Sequence, residues 1–253
     1  MRVAPFILMA SLAASGQWLN LQTPGIPRSP DGKPDLSAPT PKTADGKPDL
    51  SGIWRSDPLE GVNYIQNVAR DLQPGEIKPW AAALSQQRVD NLQKDEPWTR
   101  CRPAGLPLLD TAGVTYRIVQ TSGLVVILYE ETSTVPRQIF TDGRALPENP
   151  NPTWMGYSVG RWEGDTLVVD TNGFNDKTWL DANGHPHSES LRLTERFHRV
   201  DFGHLDLQIT INDPETFTKP FTIVKHPQLR ADYEMLEYFC IENERDARHM
   251  VGN

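Results

Sequence analysis

The sequence predicts a mainly β protein: an antiparallel, lipocalin-like β-barrel, with a two-sheet β-sandwich as the alternative. Three observations lead there. Short β-branched runs succeed one another from Tyr116 onward, most of them joined by tight turns. Helical periodicity is confined to one stretch, residues 76–94. A meander of about nine strands also exposes two edges unless it closes, and closure removes both. The 253 residues suffice for one large β-domain with a substantial core.

Taken in order, residues 1–16 read as a signal peptide: Arg2 supplies the positive charge, Val3–Ala14 the apolar stretch, and Ala14-Ser15-Gly16 the small residues for cleavage before Gln17. That stretch is too short to span a bilayer, and no other run is longer, so no membrane insertion of the mature chain is expected. Residues 17–50 carry seven prolines and almost no large apolar side chains, which predicts an extended Pro-rich linker. Within it Asp31-Gly32-Lys33-Pro34-Asp35-Leu36-Ser37 recurs as Asp45-Gly46-Lys47-Pro48-Asp49-Leu50-Ser51, a duplicated docking turn whose second copy enters the fold through Ile53 and Trp54. A single β-rich domain then occupies 51–253.

In the helix, Ile77, Trp80, Ala81, Leu84 and Leu92 form one stripe, Pro79 sits harmlessly in the first turn, and Pro97 ends the run. Strands are expected at Tyr116–Thr121, Leu124–Glu130, Arg137–Thr141, Tyr157–Trp162, Thr166–Thr171, Ser190–Arg199, His204–Asn212, Phe221–Lys225 and Met235–Ile241. Ser122-Gly123 and Glu163-Gly164-Asp165 mark hairpins.

The string Gly160-Arg161-Trp162-Glu163-Gly164-Asp165-Thr166-Leu167-Val168-Val169-Asp170-Thr171 and the start Asp45-Gly46-Lys47-Pro48-Asp49-Leu50-Ser51-Gly52-Ile53-Trp54 resemble those of a family of exported, mostly uncharacterised bacterial β-rich proteins. The resemblance covers roughly residues 45–245. It implies export and a β-rich fold and names no reaction.

Charge and cysteines narrow the function. With 25 basic against 33 acidic side chains and no Lys/Arg run longer than two, the chain repels phosphate backbones, so no nucleic acid partner is expected. In an exported chain the two cysteines, Cys101 and Cys240, pair as a disulfide in a periplasmic or extracellular setting.

The densest chemistry lies at 185–213. Side chains alternate along a strand, so His185, His187, Glu189, Leu191, Leu193, Glu195 and Phe197 share one face, and Leu205, Leu207, Ile209, Ile211 and Asp213 share another. If Asp201-Phe202-Gly203 is a three-residue loop with Gly203 left-handed, residues summing to 404 pair across the hairpin. The apolar faces turn inward and take Glu195 with them, and burial should raise its pKa. Arg161 is its candidate partner.

The resulting site has His187, Glu189, Glu195, Asp181 and Asp213 as acid/base and orienting groups, with Trp179, Tyr157, Arg161 and Trp154 lining the pocket. Without a nucleotide, redox or Gly-x-Ser-x-Gly motif, a cofactor-independent proton-transfer enzyme (lyase, isomerase, dehydratase or hydrolase) acting on a small apolar or aromatic molecule is expected. A non-catalytic lipocalin-like carrier or an envelope structural module would carry the same pattern. The metal variant places a divalent ion on His185, His187 and Glu189.

Overall fold

The structure is a computed structural model that describes residues 21–56, 67–130 and 136–240. The expected signal peptide lies outside them, as does Ile241. The elements are β1 (Gly52–Ser56), α1 (Pro79–Asp90), α2 (Leu108–Thr111), β2 (Thr115–Thr121), β3 (Leu124–Tyr129), β4 (Arg137–Phe140), β5 (Tyr157–Glu163), β6 (Thr166–Asn172), β7 (Arg192–Arg199), β8 (Leu205–Asn212), β9 (Phe221–Lys225) and β10 (Pro227–Leu229).

All ten strands belong to one sheet, in the order β10-β1-β2-β3-β4-β5-β6-β7-β8-β9. The sheet nearly closes on itself. β9 pairs with β8, and the chain runs straight on into β10, which pairs with β1. Gln228 of β10 also bridges His204, and the Leu229 N–H donates to the Gly203 carbonyl at 2.8 Å. The two edges thus meet, and the fold is the expected barrel.

One pair breaks the antiparallel rule: β4 and β5 run parallel, with Ile139 opposite Ser158 and Phe140 opposite Val159. Residues 141–156 therefore return from one end of the barrel to the other, so Asp142-Gly143 does not close a hairpin. The β2–β3 turn is the expected two-residue one, with Gly123 at φ +81°, a conformation that costs other residues.

The β7–β8 register is the expected one, with Glu195 opposite Ile209 and Phe197 opposite Leu207. Its loop differs in one respect: Gly203 is not left-handed. Glycine is needed there because Leu36 packs against it, and an added Cβ would lie 2.4 Å from the Leu36 Cβ. The loop is stiffened by Asp201, whose Oδ1 accepts from the N–H groups of Gly203 and His204.

That contact overturns the linker. Residues 21–50 are not an extended spacer; the two Asp-Gly-Lys-Pro-Asp-Leu-Ser copies fold into the same turn twice. Ser29 and Lys33 pair as Thr43 and Lys47 do, and the N–H groups of Asp35 and Asp49 donate to the carbonyls of Pro27 and Pro41. The first copy presses Leu36 onto the β7–β8 loop. The second buries Leu50 completely beside Trp54, where Gln120 holds its backbone. Prolines here rigidify a docked segment whose few apolar side chains all find a surface.

The helix is also held differently from expectation. Trp80 and Leu92 are exposed, while Ala81 and Ser85 are buried. The face toward the protein is Ala81-Ser85-Arg88: Ser85 donates to the Asn183 carbonyl at 3.1 Å and Arg88 to that of Gly184 at 2.8 Å. The helix lies on an irregular loop with free carbonyls, so small and hydrogen-bonding side chains win over the apolar stripe. The expected strand at 235–241 is not formed over Met235–Cys240. The chain is anchored there on the Glu130 carboxylate, which accepts from the Tyr233 hydroxyl and the Leu236 N–H.

Cys101 and Cys240 form a disulfide with a Cα–Cα distance of 5.5 Å, tying this C-terminal segment to the single 3₁₀ turn at Trp98–Arg100. The Cys101→Ser/Cys240→Ser double variant should lose about 2–5 kcal/mol of unfolding free energy. Urea denaturation of the two proteins under oxidising conditions measures this, and coincident midpoints would refute it.

Candidate functional site

The strands divide the barrel into an apolar half and a polar half. Inward side chains near the β2–β3 and β7–β8 turns are Ile118, Val125, Ile139, Leu167, Phe197, Leu205 and Leu207, all buried. Arg199 plugs this end. Its guanidinium lies 4.9 Å from the Trp54 ring centroid and donates to the carbonyls of Asp49, Ser51, Asp201 and Phe202. Burial lowers its pKa to about 10, still high enough to keep it charged.

Toward the other end, where α2 leads into β2, polar groups gather. Arg137 opens β4, Tyr116 lies near the start of β2, Tyr129 ends β3, Ser158 follows the first residue of β5, and Thr171 lies near the end of β6. Glu195 reaches them from the middle of β7 and Asp110 from α2. Arg137, Glu195 and Asp110 are each at most 1% exposed.

Arg137 organises the group. Its Nη1 donates to Glu195 Oε1 at 2.9 Å and to Asp110 Oδ2 at 3.4 Å, and its Nη2 donates to Glu195 Oε2 and to Thr171 Oγ1 at 3.1 Å. Nε donates to Ser158 Oγ at 3.3 Å, so every N–H direction of the fork is used. Ser158 and Gly160 of β5 and Thr171 of β6 are inward residues at this end, and their small size lets Arg137 cross from β4 to β7. Burial alone would lower the Arg137 pKa, but the facing carboxylate of Glu195 outweighs it and keeps the guanidinium charged.

The second carboxyl behaves differently. Asp110 Oδ1 accepts from the Tyr129 hydroxyl at 2.8 Å. Burial, reinforced by the neighbouring Glu195, pushes its pKa up to about 7, against the opposing pull of Arg137 and Tyr129. The two tyrosines are pushed well above their ordinary value by burial and by Asp110, so both keep their hydroxyl protons. The Tyr116 hydroxyl is buried and has no hydrogen-bond partner among the described residues. Ser56, beside it, donates instead to the Asp110 main-chain carbonyl at 2.9 Å. A phenol buried in this way is costly unless it finds a partner.

The structure does not bring the residues singled out in the sequence into one site. Glu195 points inward as expected, but its partner is Arg137. Arg161 is exposed on the outer face of β5, paired with Asp170 and Glu163. The outward face of β5 also carries Tyr157, stacked on Phe140 at 5.4 Å, with its hydroxyl accepting from Arg144 at 3.0 Å.

His187 is buried in the 174–191 loop, where its Nδ1 faces the Ser188 carbonyl at 3.0 Å and its Nε2 the Thr178 hydroxyl at 2.6 Å. A carbonyl only accepts, so Nδ1 carries the proton, and the Nε2 lone pair is taken by Thr178. Burial lowers its pKa, which keeps the ring neutral. It serves the loop, not the interior cluster.

Asp181 and Asp213 are turn organisers too. Asp181 accepts from His185 Nδ1 (2.9 and 2.8 Å) and from the N–H groups of Val68, Asn183 and His185. Asp213 accepts from the N–H and hydroxyl of Ser188 and from Thr216 and Glu215. Trp179 is buried with the Arg88 guanidinium 4.5 Å from its ring centroid, so it packs the cap. Trp154 is partly buried against the core.

Glu189 is exposed, whereas both histidines are buried. Among the described residues no three His, Cys, Asp or Glu side chains converge as a cation site, so His185, His187 and Glu189 do not form the metal triad. Their register fails because 185–189 is loop, with no strand alternation to align them. Arg137, Asp110, Tyr116 and Tyr129 were passed over in the sequence. The available signal was inward parity: Tyr116 and Tyr129 share a face with Ile118 and Ile127, and Arg137 with Ile139.

Compared with known proteins, the chain matches no family model, no curated protein and no solved structure.

Two outcomes follow from this geometry. Arg137→Met leaves two carboxyls buried without their cation and should cost about 3–5 kcal/mol, whereas Arg137→Met with Glu195→Met should recover much of it. Equal losses for the single and double variants in denaturant unfolding would refute the pairing. Asp110 keeps its proton to about pH 7 when folded but loses it near pH 4 when unfolded. Between those values the folded form binds more protons, so stability falls as pH rises. Asp110→Asn should abolish that fall and be the more stable protein at pH 8, by on the order of 2–4 kcal/mol. Parallel pH profiles for the two proteins would count against it.

Proposed function

We propose that the chain is an exported enzyme that moves protons on a small, largely apolar molecule bound at the polar end of the barrel, without a cofactor of its own. Export is supported by the basic, apolar and small-residue sections of residues 1–16 and by the disulfide. Among the described residues no helix is long and apolar enough to cross a membrane.

The observation that carries the catalytic reading is the Asp110 carboxyl, buried beside Arg137, Glu195 and Tyr129, whose pKa burial pushes up to about 7. A general acid or base works best with a pKa near the working pH, and burial is the usual means of moving a carboxyl there. Arg137 supplies a fixed positive charge for oxyanion character developing on a carbonyl or leaving group. The unpaired Tyr116 hydroxyl is a donor for the same oxygen. Glu195 holds Arg137 in place and is a positioning residue. The roles first assigned to His187, Glu189, Asp181 and Asp213 pass to Asp110, Tyr116 and Arg137, and the substrate class stays the same.

A carrier is the second reading, favoured by the fact that both Glu195 oxygens and every Arg137 N–H are already committed. The two separate on one assay. Proton abstraction from 5-nitrobenzisoxazole reports a base in an apolar pocket. The purified protein should accelerate it with an inflection near pH 7, and Asp110→Asn should lower the rate about 10²-fold or more. Rates at the buffer background for both proteins, with a hydrophobic dye such as anilinonaphthalene sulfonate still bound equally, would replace the enzyme with the carrier.

A further inference from the structure

Away from the interior cluster, a cleft of about 490 Å³ lies between residues 23–26 of the docked N-terminal segment and the strands β10, β1 and β2. None of Asp110, Arg137 and Glu195 lines it. Trp54 and Tyr116 point into the barrel, so Ile53, Arg117 and Val119 turn outward toward this space, with Ile53 opposite Arg117. Arg230, just past β10, joins them because its N–H donates to the Ile53 carbonyl at 2.7 Å. The N-terminal wall is pinned in place. The Thr23 N–H donates to Asp232 Oδ1 at 2.8 Å, and Arg28 donates to both oxygens of the same carboxylate.

Most of the wall is apolar, and its carbon is open to solvent. Val119 is 38% exposed, and Ile26, Phe202 and Tyr233 are half-buried. Five charged side chains line the cleft as well, and four are already committed. Arg117 pairs with Glu234 at 3.4 Å, and the Asp49 carboxylate accepts from the Ser51 N–H at 2.8 Å. Arg199 spends its donors on main-chain carbonyls. Arg230 is the exception. Its guanidinium lies 4.3 Å from the Tyr233 ring centroid, and among the described residues it makes no hydrogen bond or ion pair. Tyr233 is itself fixed by its hydroxyl, which donates to Glu130 at 2.5 Å, so the cation rests on a ring that is held still.

We infer that this cleft binds an amphipathic monocarboxylate, with its carboxylate on the Arg230 guanidinium and its hydrocarbon body along Ile26, Val119 and Phe202. Three features select that chemistry. A half-buried guanidinium without a carboxylate presents a planar donor fork that matches a carboxylate's two oxygens. Three guanidiniums against two carboxylates leave one positive charge in the cleft, so a single negative charge balances it, whereas a second would face Asp49 and Glu234. The accessible apolar wall supplies the burial that a solvent-exposed ion pair alone lacks. The volume is in the range of small-molecule sites.

Calorimetric titration of the full-length protein with octanoate, and with octan-1-ol and octylammonium for comparison, tests this. Octanoate should bind with a Kd of about 0.5 mM or tighter, and the neutral and cationic analogues about tenfold or more weakly than octanoate. Arg230→Met should weaken octanoate about tenfold or more and leave the circular dichroism spectrum unchanged, because the guanidinium holds no hydrogen bond of the fold. Val119→Asp, at an exposed position of the apolar wall, should weaken it as well. Absence of heat with octanoate would overturn the assignment. So would octan-1-ol or octylammonium binding as tightly as octanoate, or an octanoate affinity untouched by both variants. Because the cleft shares no residue with the interior cluster, the Asp110→Asn protein should bind octanoate as the wild type does.

Discussion

A guanidinium and two carboxyls enclosed in an apolar barrel constrain nearly everything around them. Each charge removed from water costs several kcal/mol, and only close, fully hydrogen-bonded pairing offsets that cost. Arg137 meets the condition by spreading its donors over four residues drawn from four different elements. β4, β5, β6, β7 and α2 must therefore hold fixed relative positions for the group to exist. The parallel joint between β4 and β5 belongs to this arrangement, because it sets Arg137 at the same end of the barrel as Ser158 and Thr171. With three ionisable groups and one full pair among them, the remaining carboxyl is the one that gives way. Burial pushes the Asp110 pKa up to about 7, and Glu195, which holds the better half of the cation, adds to that shift.

The opposite end of the barrel shows how the fold isolates that group. Leu50 and Trp54 fill it, and Arg199 closes it by donating to carbonyls of the N-terminal segment and of its own hairpin. The repeated Asp-Gly-Lys-Pro-Asp-Leu-Ser turn is the device that delivers these contacts. Each copy uses its Asp and Gly to reverse the chain and its Leu to dock, one on the β7–β8 loop and one in the core. A sealed apolar floor leaves the α2 end as the polar one, where desolvation shifts Asp110 and isolates the Tyr116 hydroxyl.

Much of the fold was legible in the residues, because alternation and turn chemistry are local. Ser122-Gly123 and Asp201-Phe202-Gly203 specified two hairpins, and the parity of Leu193, Glu195 and Phe197 put Glu195 inside. The partner of Glu195 was not legible. Tyr157, Val159 and Arg161 do share a face, but parity cannot say which face of β5 is inner, and Gly160 occupies the inner side without advertising it. Arg137 follows a proline at the start of a four-residue strand, and Asp110 sits on a single helical turn, so neither stands in a run long enough to show a period. The histidine string misled for a related reason: 185–189 has the spacing of a strand but the backbone of a loop, and there parity carries no information.

The same loop explains why the protein can hold two chemically distinct polar regions at one end. Residues 174–191 bury His187, His185 and Asp181 in bonds that satisfy the loop itself, so these groups form a cap and take no part in the barrel interior. On one side of that cap lie Asp110 and Tyr116, enclosed and nearly dry. On the other lie Glu189 and Arg192, open to water. Groups enclosed by burial and charged groups open to water thus sit at one end of the barrel, the first drawn from α2 and β2 and the second from the 189–192 stretch. A cap of self-satisfied polar residues keeps an enclosed environment and a hydrated one apart at one end of the barrel.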